Sequence, residues 1–315
     1  MIEVPDAFAR GTVEREGAAG AAWLADLPGI VEELLESRGC VPDGAATHGR
    51  VAVIVPVKRD AGTAVLKVSF PHPGNVHEPD ALAVWNGRGA VHLHERDDAR
   101  FAMLLERART STLAEVEDDD EVAAVGGRLA RRLAVPARPG LPRLRDRADE
   151  WEALLREDAA ELPHTMPRAV VDAAVATVRE LGRDQPDTLV HGDLHAGNVL
   201  RAEREPWLAV DPKGVMGDPA YDGGTLLMAR GLSMLAADDP HRAVRRFLDV
   251  FAEAAELDRV RVRRWAQLHA VQAAFHGRRH GFGIARGGPS LERLTGFADR
   301  LAESLTGPAG ASRGR

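Results

Sequence analysis

The most informative segment of this chain is Leu189-Val-His-Gly-Asp-Leu-His-Ala-Gly-Asn-Val-Leu-Arg201. Within and after it, Asp193 stands five positions before Asn198, and Asp211 follows thirteen positions after Asn198. Two apolar strand patterns, 198–200 and 207–210, bracket a polar turn. Because paired strands deliver the polar residues at their ends to one edge, we expect these three side chains to converge.

A carboxylate, an amide and a second carboxylate are the groups that phosphoryl transfer from ATP requires. One carboxylate orients the acceptor hydroxyl, while the amide and the other carboxylate bind the metal ion that holds the phosphates. The spacing of Asp193 and Asn198 also matches the kinase catalytic loop pattern H-x-D-x-x-x-x-N, with His191 in the histidine position. The segment therefore predicts a kinase that uses Asp193 as its catalytic residue, with Asn198 and Asp211 as metal ligands.

Two β patterns near the N-terminus, 51–57 and 63–70, are separated by a polar turn and predict a pair of antiparallel strands. Lys67 lies inside the second strand. A lysine on an edge strand commonly serves to prevent aggregation. The apolar neighbours of Lys67 instead indicate a buried strand, where the charge of a lysine needs a partner.

The rest of the chain divides into a mixed part and a mainly helical part. An amphipathic helix precedes the two strands, and a short helix carrying Glu78 and strand patterns at 90–93 and 101–105 follow them. Helical patterns then occur near 120–134, 150–161, 168–181, 224–236, 241–256 and 260–280. We expect an N-terminal lobe at 1–105, a hinge at 106–110, a C-terminal lobe at 111–306 and a disordered tail at 307–315.

In these residues the chain resembles the aminoglycoside phosphotransferase superfamily, and within it the aminoglycoside/hydroxyurea kinases. The likeness extends over residues 4–222 and is carried by the 189–201 segment together with Val4-Pro-Asp-Ala7, Trp23-Leu-Ala-Asp-Leu-Pro28, Ala64-Val-Leu-Lys-Val68, Met103-Leu-Leu-Glu-Arg107 and Arg204-Glu-Pro-Trp-Leu-Ala-Val-Asp-Pro-Lys213. The resemblance implies an α+β, protein-kinase-like fold of two lobes: a small N-terminal lobe with an antiparallel sheet and a larger, mainly helical C-terminal lobe.

The resemblance also implies ATP and Mg²⁺ as cofactors and a role for each site residue. Lys67 would contact the phosphates, and Glu78 would pair with it, although a carboxylate at a helix start is also favoured by the helix dipole alone. The hinge residues that would contact adenine are Met103, Leu104, Leu105 and Glu106. His191 and Asp218 would support the catalytic loop, although Asp218 and Asp222 could each be a structural cap or contact that loop. The turn between the first two strands carries only Gly62 and no G-x-G-x-x-G, so the preference for ATP over GTP stays open.

The composition limits the class of partner. The chain has 41 basic and 48 acidic residues and a net charge of -7, which argues against nucleic acid and suits a cationic small molecule. Cys40 is the only cysteine, and the sequence shows neither a signal-peptide pattern nor an apolar run of membrane-spanning length. We therefore expect a cytoplasmic enzyme without a membrane partner, while its oligomeric state is not predicted.

Other functions are compatible with parts of the sequence. His191 and His195, like His276 and His280, have a four-residue spacing that suggests a zinc hydrolase, but neither pair has the glutamate of H-E-x-x-H. A nucleotide-binding protein without catalysis would be expected to lack one of the three site residues. Among acceptors, the resemblance implies an aminoglycoside hydroxyl, with 6-O-phosphorylation of streptomycin and consequent antibiotic resistance first, and hydroxyurea or a metabolite as alternatives.

Overall fold

The structure is a computed structural model that describes residues 2–234, 237–282 and 288–306. The predicted tail at 307–315 lies outside the described residues. Within them the α-helices are α1 (Asp6–Ser37), α2 (Glu78–Trp85), α3 (Asp119–Leu133), α4 (Ala148–Glu161), α5 (Arg168–Thr177), α6 (Tyr221–Met234), α7 (Pro240–Ala255), α8 (Arg259–His280) and α9 (Gly288–Leu305).

The strands of the described chain are mostly short. They are β1 (Val41–Pro42), β2 (Thr47–His48), β3 (Ala52–Arg59), β4 (Gly62–Ser69), β5 (Leu93–Asp97), β6 (Ala102–Glu106), β7 (Val135–Pro136), β8 (Thr188–Val190), β9 (Val199–Arg201), β10 (Trp207–Ala209) and β11 (Val215–Met216). The chain forms two compact units, which comprise residues 1–110 with 200–213 and residues 111–199 with 214–315. We call them unit 1 and unit 2.

Unit 1 is built on an antiparallel sheet in the order β1-β3-β4-β6-β5, with β2 also paired to β3. Alternate residues of β3 and β4 enter an apolar core that also contains Leu27, Val31 and Leu34 of α1. The predicted strand pair is therefore confirmed. Lys67 of β4 faces Ile54 on one neighbouring strand and Met103 on the other, so the edge-strand interpretation of this lysine is wrong.

The segment 200–213 belongs to unit 1, although the division from sequence assigns it to the C-terminal lobe. Its backbone hydrogen bonds explain the difference. The amide of Ala209 donates to the carbonyl of Gly89, the amide of Val91 donates to the carbonyl of Ala209, and the amide of Arg109 donates to the carbonyl of Arg201. The same bonds explain why the strand predicted at 90–93 is wrong, since Ala90 and Val91 pair with Ala209 outside the sheet and β5 begins at Leu93.

Unit 2 is mainly helical, and α8 lies at its centre. This helix packs against α5, α6 and α9, and it buries residues on all sides, including Trp265 and Phe275. A small sheet in the order β11-β8-β7 positions the chain that enters the 191–198 loop. The helices predicted in this part of the chain are confirmed, whereas α9 was not predicted. In the part of the chain that the structure describes, no helix is long and apolar enough to span a membrane.

The contact between α3 and α7 depends on Gly127. A Cβ atom at this position would lie 2.5 Å from the carbonyl oxygen of Phe251 and 2.8 Å from Cβ of Ala254. We expect Gly127→Ala to lower the free energy of unfolding by about 1–3 kcal/mol, because backbone cannot yield to the added methyl group. Urea denaturation would measure the loss. Gly296→Ala is the control, since its Cβ would meet Arg300 only at 3.7 Å; equal stability of both variants would contradict the prediction.

Candidate active site

Lys67 is the centre of a buried ionic network in unit 1. Its Nζ donates to Oε1 and Oε2 of Glu78 at 2.6 and 2.8 Å, and to Oδ1 of Asp211 at 2.7 Å. Lys67 is 7% exposed and Glu78 1%. Burial lowers the pKa of Lys67, but the two carboxylates outweigh this effect and raise the pKa above its ordinary value. The lysine is therefore a charged group fixed at a defined position.

Glu78 reaches this network because it is the first residue of α2. The dipole of the helix favours a carboxylate there, but the interaction with Lys67 is direct, so the dipole alone does not account for the residue. The pairing expected from the sequence is thus present. Its role toward a nucleotide stays a prediction.

Asp211 joins the network from the segment that follows β10. Its φ of 59° lies in the left-handed region, which is uncommon for residues other than glycine and often marks a functional position. The side chain is 36% exposed, so its carboxylate is accessible as well as bound to Lys67. An accessible carboxylate beside a buried ammonium group is suited to a metal-bound phosphate.

The loop 191–198 carries Asp193 in unit 2, and hydrogen bonds hold it from inside. The amide of Asp193 donates to Nδ1 of the fully buried His191 at 3.2 Å. The carbonyl of Asp193 accepts from Nδ2 of Asn198 at 3.0 Å. Gly192 has a φ of 77°, which favours glycine at this turn. The backbone on both sides of Asp193 is therefore fixed.

Asp222, in the first turn of α6, supports the same loop. Its Oδ1 accepts from the amide of Gly192 at 2.9 Å, and its Oδ2 accepts from the amide of His191 at 3.1 Å. Burial raises the pKa of Asp222 to about 7, and the two amides oppose this effect. A buried carboxylate that accepts hydrogen bonds through both oxygens is a rigid support for the 191–198 loop.

Asp218 does not support this loop as expected. Its Oδ2 accepts from Nε1 of Trp265 at 2.6 Å and from the guanidinium of Arg261, and its Oδ1 accepts from the amide of Ala220. Asp218 therefore connects the turn before α6 to α8, and the hydrogen bonds that it makes are those of a structural cap rather than contacts with the loop. Asp218 and Asp222 lie in one short motif, so the sequence alone does not show which of them contacts the loop.

The predicted hinge residues lie on β6. Met103, Leu104 and Leu105 take part in ladders with β4 on one side and β5 on the other. The carboxylate of Glu106 accepts from Arg204 at 2.8 Å and from the amide of His92 at 3.0 Å. The paired backbone of the strand and the carboxylate of Glu106 thus already have protein partners. Contacts of the four residues with adenine stay a prediction.

The groups proposed to hold Mg²⁺ have suitable chemistry. Nδ2 of Asn198 donates a hydrogen bond to the carbonyl of Asp193. This bond orients the side chain of Asn198 and leaves its Oδ1 as the ligand for a metal. Asp211 supplies a carboxylate. Oxygen ligands of these two kinds are those that Mg²⁺ prefers. Asn198 belongs to unit 2 and Asp211 to unit 1.

The histidine pairs give no support to a zinc site. Nδ1 of His191 and Nδ1 of His195 both accept backbone amides, from Asp193 and Gly197. No cluster of three or more His, Cys, Asp or Glu side chains suited to a metal ion occurs in the described ranges.

An open cavity of about 880 Å³ lies beside Asp193 within unit 2. The residues that line it are Gly192, Asp193, His195, Tyr221, Thr225, Met228, Ala229, His269 and Gln272. Most of them come from α6 and α8, and sequence reasoning assigned no function to the residues of this wall. Their periodicity is that of ordinary amphipathic helices, so no local pattern distinguishes them from core residues.

Known proteins resemble this chain along most of its length. The family described as aminoglycoside/hydroxyurea antibiotic resistance kinase matches residues 38–281. A streptomycin 6-kinase from Streptomyces glaucescens is 40% identical over 277 residues, which cover 87% of this chain and 90% of that protein. A hydroxyurea phosphotransferase from Kitasatospora aureofaciens is 37% identical, with coverage of 86% and 79%.

Solved structures show the same fold at low sequence identity. The choline kinase LicA from Streptococcus pneumoniae is 12% identical with a TM-score of 0.57, and the match covers 88% of this chain and 99% of that one. A thermostable mutant of aminoglycoside phosphotransferase APH(4)-Ia, in a ternary complex with AMP-PNP and hygromycin B, is 14% identical with a TM-score of 0.58 and equal coverage. The α+β, protein-kinase-like fold is thus confirmed, and the chain belongs to the aminoglycoside/hydroxyurea antibiotic resistance kinase family.

Proposed function

We propose that this protein transfers the γ-phosphoryl group of ATP to a hydroxyl of an aminoglycoside, with 6-O-phosphorylation of streptomycin as the specific reaction. The observation that carries the proposal is the loop at Asp193, whose backbone is fixed on both sides and whose carboxylate borders an open cavity. A carboxylate fixed in this way can orient a hydroxyl and accept its proton during transfer. Phosphorylation of the antibiotic would inactivate it.

The transfer is direct. The acceptor oxygen forms a bond to the γ-phosphorus as the bond between that phosphorus and the bridging oxygen of ADP breaks, and the proton of the hydroxyl passes to Asp193. Positioning and neutralisation of charge supply most of the catalysis in such reactions. No covalent enzyme intermediate is required.

Lys67 and Glu78 serve the nucleotide. The ammonium group of Lys67, held by Glu78, contacts the α- and β-phosphates, and residues 103–106 contact adenine. Mg²⁺, which neutralises phosphate charge when bound, would be held by the side-chain oxygens of Asn198 and Asp211. These assignments are supported by the position of Lys67 in the sheet and by the oriented amide of Asn198.

The cavity beside Asp193 has room for an aminoglycoside. Pockets of roughly 300–1,000 Å³ hold drug-sized ligands, and this open cavity is about 880 Å³. The family includes a kinase for each substrate, so hydroxyurea is the second acceptor to test.

The first prediction concerns the product. Purified protein incubated with ATP, Mg²⁺ and streptomycin should add one phosphate to streptomycin, seen by mass spectrometry, and release an equal amount of ADP. Asp193→Asn should lower kcat by about 10²–10⁴-fold, because general-base assistance is lost. Undiminished activity of this variant would contradict the role of Asp193. Phosphorylation of hydroxyurea alone would contradict the proposed acceptor.

A second prediction separates the nucleotide from the acceptor. Lys67→Met should raise the KM for ATP by roughly 10- to 100-fold, as expected when a charged hydrogen bond is lost, with a smaller change in the KM for streptomycin. Lys58→Met is the matched control, because Lys58 lies on the neighbouring strand but is exposed and pairs with Asp43. Thermal melting would establish that both variants fold. A normal KM for ATP in Lys67→Met would refute the assignment.

A third prediction distinguishes the two aspartates near α6. Asp222→Asn should lower kcat by about tenfold or more with little change in the KM for ATP, because the amide group cannot accept both backbone hydrogen bonds of the loop. Asp218→Asn should mainly lower the melting temperature, since Asp218 connects the turn to α8. A larger loss of kcat in Asp218→Asn than in Asp222→Asn would reverse the assignment.

A further inference from the structure

The wall that α6 and α8 contribute to the cavity is polar but carries no charge. Tyr221 and Thr225 of α6 and His269 and Gln272 of α8 line the cavity. Burial raises the pKa of Tyr221 to about 12 and lowers the pKa of His269 to about 4, so both rings are neutral at physiological pH. A molecule bound against this wall is therefore recognised by hydrogen bonds rather than by ion pairs.

Thr225 and Gln272 lie next to the point where the two helices meet at the cavity. The rings of Tyr221 and His269 are in contact there, with 4.4 Å between their centroids. Thr225 follows Tyr221 by four residues and Gln272 follows His269 by three, and residues at these spacings share one face of a helix. Both side chains are partly exposed, whereas His269 is buried. Thr225 and Gln272 are therefore the members of this group that a bound molecule can reach.

Gln272 carries the accessible polar group in the middle of α8. Between residues 265 and 275 this helix is buried except at Gln272 and Ala273, and alanine has no polar side chain. Oε1 and Nε2 of Gln272 make no hydrogen bond within the part of the chain that the structure describes, yet neither atom is buried. Because Gln272 lines the cavity, its amide group is open to a molecule bound there.

The other two glutamines of the chain use their amide groups to hold the backbone. Nε2 of Gln185 donates to the carbonyl of Gly182 at 2.7 Å, and Nε2 of Gln267 donates to the carbonyl of Val170 at 2.8 Å. Gln272 has no such structural bond to a described residue. Its amide group thus remains available both as a donor and as an acceptor.

Thr225 differs in a similar way from threonines of other helices. Oγ1 of Thr177 donates to the carbonyl of Ala173, and Oγ1 of Thr295 donates to the carbonyl of Leu291, which is the usual bond to the preceding turn. Oγ1 of Thr225 makes no hydrogen bond with the described residues and is not a buried atom. Its hydroxyl group is therefore a second unused polar group on the wall of the cavity.

We propose that Gln272 and Thr225 determine specificity for the acceptor: the amide of Gln272 and the hydroxyl of Thr225 form hydrogen bonds with the molecule bound beside Asp193. An amide offers one oxygen acceptor and an NH₂ donor, and a hydroxyl both donates and accepts. The chemical class that fits is a cyclitol with hydroxyl and guanidino groups on neighbouring carbons, whose N–H groups donate to Oε1 of Gln272. This inference rests on the proposed function and adds two binding residues to it.

The test compares the kinetic constants of Gln272→Leu and Thr225→Val with those of the wild type. Each change keeps a side chain of similar size and removes the hydrogen-bonding groups. Each should raise the KM for streptomycin about three- to tenfold, with kcat and the KM for ATP within about twofold, as expected for one neutral hydrogen bond. A higher KM at constant kcat indicates lost binding energy common to ground and transition states.

Gln272→Glu and Gln267→Leu separate recognition from structure. A carboxylate at position 272 keeps the acceptor oxygen and adds a charge that attracts a guanidinium group, so the KM of Gln272→Glu for streptomycin should equal or fall below that of the wild type. Gln267 lies on the same helix but is buried and bonded to the backbone. Gln267→Leu should therefore lower the melting temperature without a selective rise in the KM for streptomycin.

Three results would overturn the inference. An unchanged KM for streptomycin in Gln272→Leu or in Thr225→Val would show that the altered residue does not contact the acceptor. A joint loss of kcat, ATP affinity and melting temperature in Gln272→Leu, without recovery in Gln272→Glu, would show a structural role. Calorimetric titration of streptomycin gives the same comparison without turnover. If the wild type does not phosphorylate streptomycin, the proposed function fails and this inference with it, whereas normal wild-type turnover with both variants unaffected refutes the inference alone.

Discussion

The charge of Lys67 is the constraint on which unit 1 depends. An ammonium group on the central strand of a sheet is removed from water and must be compensated by opposite charge. Glu78 at the start of α2 and Asp211 after β10 provide that compensation. Asp211 does so from a left-handed backbone conformation, so the packing of residues 200–213 within unit 1 and the ionic network stabilise each other. In the proposed function, this fixed ammonium group contacts the phosphates of the nucleotide.

In unit 2 the buried ionisable group is the carboxyl group of Asp222. Asp222 is buried, and its two oxygens accept the amides of the catalytic loop, so the carboxylate is satisfied only when the loop has its observed conformation. His191 and Asn198 fix the backbone of Asp193 in the same way. In both units a buried ionisable group therefore fixes its neighbours: Glu78 holds Lys67, and Asp222 holds the loop that carries Asp193. The rigidity of such groups is what electrostatic catalysis requires, because no reorganisation is needed during transfer.

Local sequence patterns are sufficient to predict features that depend on a single strand, helix or loop. The strands around Lys67 and most helices of unit 2 follow from their periodicity, and the Asp193 loop from its spacing. Prediction from sequence fails where contacts between distant parts of the chain determine the structure. The pairing of Ala209 with Gly89 and Val91 displaces the strand predicted at 90–93, which begins only at Leu93, and places 200–213 in unit 1. Which of Asp218 and Asp222 contacts the loop depends on where α8 packs, because Trp265 of α8 binds Asp218.

The net charge of the chain is a weak guide to its acceptor, because many carboxylates of the described residues already pair with basic side chains. Glu152 contacts three arginines, and Asp120 pairs with Arg246 on the surface. Exposed pairs of this kind are screened by solvent and contribute little field at a distance. A cationic acceptor beside Asp193 meets a wall of neutral hydrogen-bonding groups instead. At a wall of this kind, discrimination among acceptors would depend on hydrogen bonds, since a site built to hydrogen-bond its substrate rejects an analogue that leaves its polar groups without partners.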